Sequence, residues 1–351
     1  MPMPAHHRPD GGFRNPWRAE ETRGAASVAL WMAQRLGRRL TGRATRQPQR
    51  ATFPRHVPRI EQSRVTGHRL LVTWIGHSTF LIQVGGVNIL TDPMWSDRAS
   101  PVRFAGPRRW FPPAIPLDTL PPIDVVLQSH NHYDHLDRAT VEWLAQHHPA
   151  ARWVAPLGLA SLLRQFGAAE VAELDWWESL SVGVLRISST PARHFSARGL
   201  RDRDHTLWCG WCVTSVEHRV FFAGDTGLHP EFASIAQRFG PFDLMMLPIG
   251  AYDPRWFMRS VHMAPEEAAE ACLVMRAVQP LGHRSVMAAM HWGTFQLTDE
   301  PMDEPPKRIA AAWSRHGLPV DDLWVPAHGE TREILVQGPG EPGPRTNSII
   351  G

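Results

Sequence analysis

Ser129-His130-Asn131-His132-Tyr133-Asp134-His135 sets three imidazoles and a carboxylate within the six positions from His130 to His135. The apolar run Ile123-Asp124-Val125-Val126-Leu127-Gln128 leads straight into it and reads as a buried strand. Histidine and carboxylate are the ligands that a cation such as Zn2+ takes in sites that keep a position open for water. A tight loop at a strand end can hold such a cluster rigidly while it faces a cleft. Desolvated imidazoles this close repel on protonation, and a metal relieves that repulsion. A solvated His-rich loop is the alternative. The segment is read as a metal site.

A complete site needs ligands from elsewhere, and three places repeat the order strand, ligand, turn. His194 follows the β-like run 184–189 in Thr190-Pro191-Ala192-Arg193-His194-Phe195. Asp225 follows the run 220–223 in Phe222-Ala223-Gly224-Asp225-Thr226-Gly227, and His291 follows 285–290 in Ala289-Met290-His291-Trp292-Gly293-Thr294. Any one alone reads as a structural buried group; the recurrence implies that several strand ends converge on one cleft. His130, His132 and His194 would give one tetrahedral zinc three nitrogens and leave a position for water. Asp134, His135 and His291 would serve a second, and Asp225 is suited to bridge both. Two cations about 3.5–4 Å apart hold a shared hydroxide and clamp attacking and leaving oxygens. The donors suit Zn2+, and Mn2+ or Fe2+ tolerate the same set.

Outward from this core, runs at 70–75, 79–84 and 87–90 read as short strands, with Gly85-Gly86 as a hairpin turn. Further strands are expected at 169–174, 184–189, 206–216, 219–223, 242–247, 285–290 and 323–325. Helices are expected at 137–148, 156–166, 230–239, 265–278 and 306–316, the fourth opened by Pro265-Glu266-Glu267 as suits a helix N-terminus. β-rich sections punctuated by helices predict two mixed sheets covered by helices on their outer faces. Residues 1–60 read as an appended Pro- and Arg-rich arm, 61–337 as the hydrolase domain, and 338–351 as a disordered Gly/Pro-rich tail.

With 351 residues, 43% apolar and 20% charged, the chain has the make-up of a folded globular protein. The net charge of +3 is uneven. Arg35, Arg38, Arg39, Arg43, Arg46, Arg50, Arg55 and Arg59 crowd the arm, and the rest is near neutral, which excludes a nucleic-acid reading. Three cysteines cannot build a disulfide framework in a chain this long. Cys209 and Cys212 at i, i+3 on a strand point to opposite faces and read as core residues, as does Cys272. A reducing, cytoplasmic compartment follows. Met1 to Pro16 lacks the apolar core of a signal peptide. Residues 25–43 hold Val28, Leu30, Trp31, Leu36 and Leu40 before clustered arginines. They read as a basic amphipathic helix on an anionic inner membrane face, as a helix docked on the main domain, or as a poorly ordered arm.

The His-x-His-x-Asp-His segment followed by isolated His, Asp and His resembles the metallo-β-lactamase superfamily. That resemblance implies an αβ/βα sandwich of two mixed β-sheets flanked by helices, with a dinuclear site between the sheets. Trp74-Ile75-Gly76-His77-Ser78-Thr79, Leu90-Thr91-Asp92-Pro93, residues 129–137, Leu174-Asp175-Trp176-Trp177-Glu178 and residues 222–227 are more specifically similar to the N-acylphosphatidylethanolamine-hydrolysing phospholipases D. So are residues 239–252, Pro254-Arg255-Trp256-Phe257-Met258, Pro265-Glu266-Glu267-Ala268 and His291-Trp292-Gly293-Thr294-Phe295, with a fainter echo at Phe13-Arg14-Asn15-Pro16-Trp17. The similarity runs from about residue 69 to 331. It implies a homodimer, and a metal-held hydroxide that attacks a phospholipid phosphodiester to give phosphatidic acid and an N-acylethanolamine. The seven ligands carry over to His130, His132, Asp134, His135, His194, Asp225 and His291.

Three positions depart from that pattern. Where animal members hold serine, tyrosine and glutamine near the substrate phosphate, this chain has Asp97, Arg138 and Val261, while His262 matches. Arg138 could still bind phosphate bidentately, whereas Asp97 would oppose an anion unless neutralised. Asp225 and His262 are the expected catalytic groups, His262 as proton donor to the leaving alkoxide with a metal-held water as its rival. His77 and His328 are expected to orient ligands or hold loops. The chain has 15 tryptophans, and Trp95, Trp110, Trp176, Trp177 and Trp256 fall in expected loops, where indole suits a lipid head-group layer. Trp74 and Trp292 read as core, and Trp256-Phe257-Met258 as an exposed apolar rim that binds substrate. A hydrolase of a lactone, cyclic phosphate or RNA end on the same fold, and a metal-binding protein without catalysis, are the competing functions.

Overall fold

The computed structural model describes residues 3–17, 24–199 and 201–335, so the tail read at 338–351 lies outside the described residues. After helix α1 (Ala25–Leu40) come strands β1 (Arg69–Gly76), β2 (Thr79–Val84), β3 (Val87–Thr91) and β4 (Val125–Leu127). Then follow α2 (Arg138–His147), β5 (Arg152–Pro156), α3 (Ala160–Gln165), β6 (Glu170–Leu174), β7 (Ser179–Val182), β8 (Leu185–Thr190), β9 (Gly210–Thr214) and β10 (Arg219–Phe222). The chain closes with α4 (Phe232–Phe239), β11 (Leu244–Pro248), α5 (Arg255–Met258), α6 (Pro265–Ala277), β12 (Val286–Met290), α7 (Glu304–Arg315), β13 (Leu323–Trp324) and β14 (Thr331–Leu335).

Two seven-stranded sheets result, ordered β14-β1-β2-β3-β4-β5-β6 and β13-β12-β11-β10-β9-β8-β7. In the first, β14 to β3 pair antiparallel and β3 to β6 parallel. The second repeats this, antiparallel from β7 to β10 and parallel from β10 to β13. The inner faces share one core, with Trp74, Phe80 and Val125 from the first sheet meeting Trp211 and Phe222 from the second. Leu144 of α2 and Leu163 of α3 seal the outer side of the first sheet against Val126 and Trp153. Phe232 of α4, Cys272 of α6 and Ile309 of α7 extend the core beyond the second. Such helix–sheet–sheet–helix layering hides both faces of each sheet, which is why β4, β11 and β12 are apolar and buried along their whole length.

This topology positions the site. Because β2 lies antiparallel between β1 and β3, and β4 continues parallel to β3, the C-terminal ends of β1, β3 and β4 share one edge. The same alternation brings together the ends of β8, β10 and β12. His77, Asp92, the His130–His135 turn, His194, Asp225 and His291 leave from these ends. Three strands went unpredicted, β5, β7 and β14, and α3 begins four residues later than the helix expected from 156.

The arm is not a free appendage. Trp31, Arg35 and Arg38 of α1 all meet the buried carboxylate of Asp299: Trp31 Nε1 donates to Oδ2 at 2.9 Å, Arg35 lies 3.2 Å from Oδ1, and Arg38 pairs with Oδ2. The Trp31 ring also stacks on Phe257 at 5.3 Å. The docked reading of residues 25–43 therefore holds, yet Leu30, Met32, Leu36 and Leu40 remain 52%, 63%, 57% and 78% exposed. All three cysteines are free and buried, and burial pushes their thiols up, Cys272 to about 12. Among the described residues no helix is long and apolar enough to cross a membrane.

Candidate metal centre

The His130–His135 turn closes on itself, His135 and Leu136 both donating their N–H to His132 O, at 3.1 and 2.8 Å. It is tied to the His194 loop by Asn131 Oδ1, which accepts from Ala197 N at 3.0 Å, and His291 N donates to His77 O at 3.1 Å. His77, Asp92 and His291 take φ of 56°, 35° and 60°, a left-handed backbone that costs non-glycine residues energy and clusters at working sites. Two glycines make room. A Cβ on Gly224, at φ +59°, would lie 2.7 Å from Cys209 O, and one on Gly250 2.0 Å from His291 O.

Seven side chains from four strand ends converge. His130 Nε2 lies 2.9 Å and His194 Nε2 3.1 Å from His132 Nδ1. His135 Nε2 and His291 Nε2 each lie 3.5 Å from Asp134 Oδ2 and 3.0 Å from Asp225 Oδ2. That same Asp225 oxygen is 3.9 Å from His130 Nε2 and 3.8 Å from His194 Nε2. The residues thus sort into two three-donor sets with Asp225 between them, the partition expected from the sequence. His77 joins the second set, its Nε2 3.0 Å from Asp134 Oδ2.

Surrounding partners decide which nitrogen of each ring is free. His194 Nδ1 donates to Val261 O at 2.9 Å, which leaves Nε2 with its lone pair facing His132. Ser129 Oγ donates to Asp92 Oδ2 at 2.6 Å, so His130 Nδ1, 2.9 Å away, donates to that hydroxyl and keeps Nε2 open. His135 Nδ1 donates to Asp92 Oδ2 at 2.7 Å. Asp92, fully buried, also accepts from Ser129 N and Gln128 Nε2 and so holds two of the rings in the ligand orientation. Its role had no place among the expected site residues, although it too ends a strand.

The electrostatics separate the two sets. Burial, reinforced by neighbouring rings, holds His130 well below the usual histidine range and His132 at about 3, while His194 falls to about 4 mainly through burial. All three are neutral imidazoles, the ligand form. Burial also opposes charge on His291 and His135, but the Asp225 and Asp134 carboxylates together outweigh it and lift His291 to about 9 and His135 well above its ordinary value. Burial works against ionising Asp134 and Asp225 as well. The adjacent His135 and His291 together overturn this and keep both carboxyls well below the usual range. Yet His135 Nε2, His291 Nε2 and Asp225 Oδ1 are buried without a hydrogen-bond partner. Unpartnered buried imidazole nitrogens held 3.0–3.5 Å from carboxylate oxygens are costly unless something joins them, and a pair of divalent cations fits the set.

A cavity of about 300 Å³ opens beside His132, Asp134, Asp225 and His262. Phe195, Phe257, Met258, Val261 and Leu297 form apolar walls, Val28 and Trp31 of α1 cover one side, and Arg203 is the lone guanidinium in the lining among the described residues. His262 is buried against His194 and His291, with ring centroids 5.0 and 5.2 Å away. Burial holds it well below its ordinary pKa. An unprotonated ring is poorly suited to deliver the leaving group's proton, which weighs against that expectation and leaves His262 as a neutral hydrogen-bonding group.

Other expectations are corrected. Arg138 is outside the cavity: it pairs with Glu142 at 2.6 Å and lies over Phe166 in a separate surface groove that also holds Asp97. Asp97 is itself paired with Arg108 at 2.7 Å. Trp256 is exposed at the rim beside Phe257 but does not line the cavity, whereas Phe257 and Met258 do. Trp176 is buried under His6 and Trp17, and Trp95 is anchored through Nε1 to Ile115 O, so neither faces lipid. Trp74 and Trp292 stack at 5.4 Å in the core as expected. His328 packs against Trp74 and Phe111 and holds the arm, donating its N–H to Pro54 O and accepting from His56 N.

Fold and site define a metal-dependent hydrolase, and the chain belongs to the metallo-β-lactamase superfamily: the beta-lactamase superfamily domain matches residues 87–292. Within it, the chain is 42% identical over 251 residues to an N-acyl-phosphatidylethanolamine-hydrolyzing phospholipase D 1 of Caenorhabditis elegans, covering 68% of each chain. A mitochondrial enzyme of the same name from Saccharomyces cerevisiae is 34% identical over 285 residues, 79% of this chain and 58% of its own length. The match thus spans about two thirds or less of these relatives. Among solved structures, the metallo hydrolase Igni18 from Ignicoccus hospitalis superposes with a TM-score of 0.57 at 23% identity, over 77% of this chain and 100% of that one, a likeness of fold.

Proposed function

We propose that this chain is a dinuclear zinc phosphodiesterase that cleaves N-acylphosphatidylethanolamine-like phospholipids at the head-group side, releasing phosphatidic acid and an N-acylethanolamine. The observation that carries this reading is one cavity that combines the His/Asp centre, apolar walls and a single guanidinium. The names of the worm and yeast relatives support it. His130, His132 and His194 would hold one cation, Asp134, His135 and His291 the other, and Asp225 both. When bound, two such cations supply charge neutralisation and a water whose pKa falls to about 7.

The chain's own side chains do the rest. Asp92 and the Val261 carbonyl fix ring orientation, so the ligand atoms need no reorganisation during the reaction. His262 offers a neutral ring to a phosphate oxygen, and Arg203, in the same lining, offers charge, the role first expected of Arg138. At about 300 Å³ the cavity is at the small end of ligand pockets. It takes the phosphate and adjoining groups while the diacyl tail stays in a bilayer. The bare apolar side of α1, followed by Arg39, Arg43 and Arg46, would rest on the anionic inner leaflet beside the mouth of the cavity.

Metal analysis and turnover on one sample test this reading. Purified protein is assayed on N-acylphosphatidylethanolamine in mixed micelles, on a water-soluble phosphodiester and on a lactone. At least two zinc equivalents with release of N-acylethanolamine are expected. Lactone hydrolysis without phospholipid cleavage would overturn it in favour of a hydrolase of small soluble esters.

A further inference from the structure

A second group of ligand-type side chains stands apart from the dinuclear centre. The strap before α1 folds into a small loop closed by the His7–Phe13 bridge, with Phe13 N donating to Asp204 O at 2.8 Å and Arg14 N to His6 O at 2.9 Å. This turns His6 and His7 onto the loop after β6. His6 Nε2 lies 2.6 Å from Asp175 Oδ1, and His7 Nε2 lies 2.7 Å from Oδ2 of the same carboxylate. The two rings meet edge to face at 4.6 Å, and His6 stacks on Trp176 at 4.2 Å. His6 is buried, while side-chain exposures of 26% at His7 and 17% at Asp175 leave one side open to water.

We propose that His6, His7 and Asp175 form a third divalent-cation site, of zinc type, that clasps the N-terminal strap to the hydrolase domain. Two imidazoles and a carboxylate with an open water side form a donor set that zinc takes. Their ligand atoms all lie within 4.8 Å of one another, as do those of the dinuclear centre's sets. Two ordinary hydrogen bonds to Asp175 are the competing account. They need no metal and survive a chelator.

The clasp has a consequence for the main site. Eight residues on from His7 the strap reaches Asn15, whose Nδ2 donates to His194 O at 2.9 Å, and then Trp17, which stacks on Trp176 and His229 at 5.7 and 4.8 Å. A cation at Asp175 would therefore fix a strap that grips the backbone of one ligand residue. The proposal is independent of the substrate assignment.

Full-length protein is stripped with chelator, reloaded with Zn2+ and desalted, and its metal is counted beside His7→Gln and Asp175→Asn. Wild type is expected to hold one equivalent more than either variant. Reloading with Co2+ is expected to show a visible absorption component in wild type that both variants lack. Equal metal content in all three, with identical cobalt spectra, would overturn the site and leave the hydrogen-bonded clasp. Because the readout is a difference, failure of the dinuclear reading would change all totals alike and leave this comparison intact. Should one variant not fold, the other decides.

Discussion

His135 Nε2 lies 3.0 Å from Asp225 Oδ2, both groups buried, without forming a hydrogen bond. The other nitrogen of His135 is committed to Asp92 at 2.7 Å, so the ring cannot turn to find a better partner. A second ring, His291, faces the same oxygen at the same distance from another strand end. Contacts that are close and convergent yet unbonded are what a ligand set looks like. The carboxylate of Asp225 is the group both halves of the centre share.

Replacing that carboxylate tests the sharing. Asp225→Asn keeps the shape, removes the charge and is expected to lower kcat by more than about 100-fold, the scale of losing one preorganised electrostatic group. Turnover and metal content are measured on the same preparation. A variant with full metal and the parental rate would remove Asp225 from the mechanism.

Asp92 touches no substrate, but its oxygens hold His135, Ser129 and, through Ser129, His130. Asp92→Asn should weaken metal binding by about 10–100-fold, as losing such supporting hydrogen bonds commonly does. Competition with a chromophoric chelator reads this directly. At saturating metal the KM for substrate should stay at the parental value, which a general loss of fold would not allow.

The site was legible because the signal is local: each ligand directly follows a strand, and strands here are apolar runs that a reader can find. Asp92 carried the same signal but entered only as part of the Leu90-Thr91-Asp92-Pro93 resemblance, with the seven donors already filling both sets. β14 was missed for another reason. Thr331-Arg332-Glu333-Ile334-Leu335 is an edge strand, paired on one side to β1 far away in sequence, so its polarity hides it. β5 was absorbed into the helix expected after it, Pro156 marking the end of the strand rather than the start of a helix. Arg203 sits in Arg201-Asp202-Arg203-Asp204, where nothing in the string says which charge turns inward. Loop tryptophans misled for the same reason, since sequence places a residue on a loop but not on a side of it.

Arg203 and Arg138 can be told apart by kinetics. A charged hydrogen bond contributes roughly 1.5–3 kcal/mol, so Arg203→Ala should raise KM for the phospholipid about tenfold or more. Arg138→Ala should leave KM unchanged, its guanidinium being paired with Glu142 outside the cavity. The reverse outcome would return the phosphate to Arg138.

The bare face of α1 should work as a lipid contact. Burying a leucine is worth about 1.5–3 kcal/mol, so Leu36→Glu and Leu40→Glu should each weaken sedimentation with anionic vesicles about tenfold or more. Hydrolysis of a water-soluble phosphodiester should not change, because neither side chain lines the cavity. Unaltered sedimentation would assign the exposed face some other purpose.

His229 provides a pH signature away from the ligand set. Its ring stacks between Trp17 at 4.8 Å and Phe232 at 4.2 Å, and Nε2 has no partner. Burial, aided by the Arg193 charge, lowers its pKa to about 3. The folded protein therefore keeps this ring neutral, while the unfolded chain takes up a proton below about 6.5. Acid thus favours unfolding through this residue, from the unfolded value down to about 3. Between pH 7 and pH 5 the cost is about 2 kcal/mol at 1.36 kcal/mol per unit. His229→Phe keeps the stacking and cannot titrate. Urea unfolding at the two pH values should show the variant losing about 2 kcal/mol less than wild type, since every other buried histidine contributes to both proteins alike. Equal losses would mean that His229 takes up its proton in the folded protein as readily as in the unfolded chain.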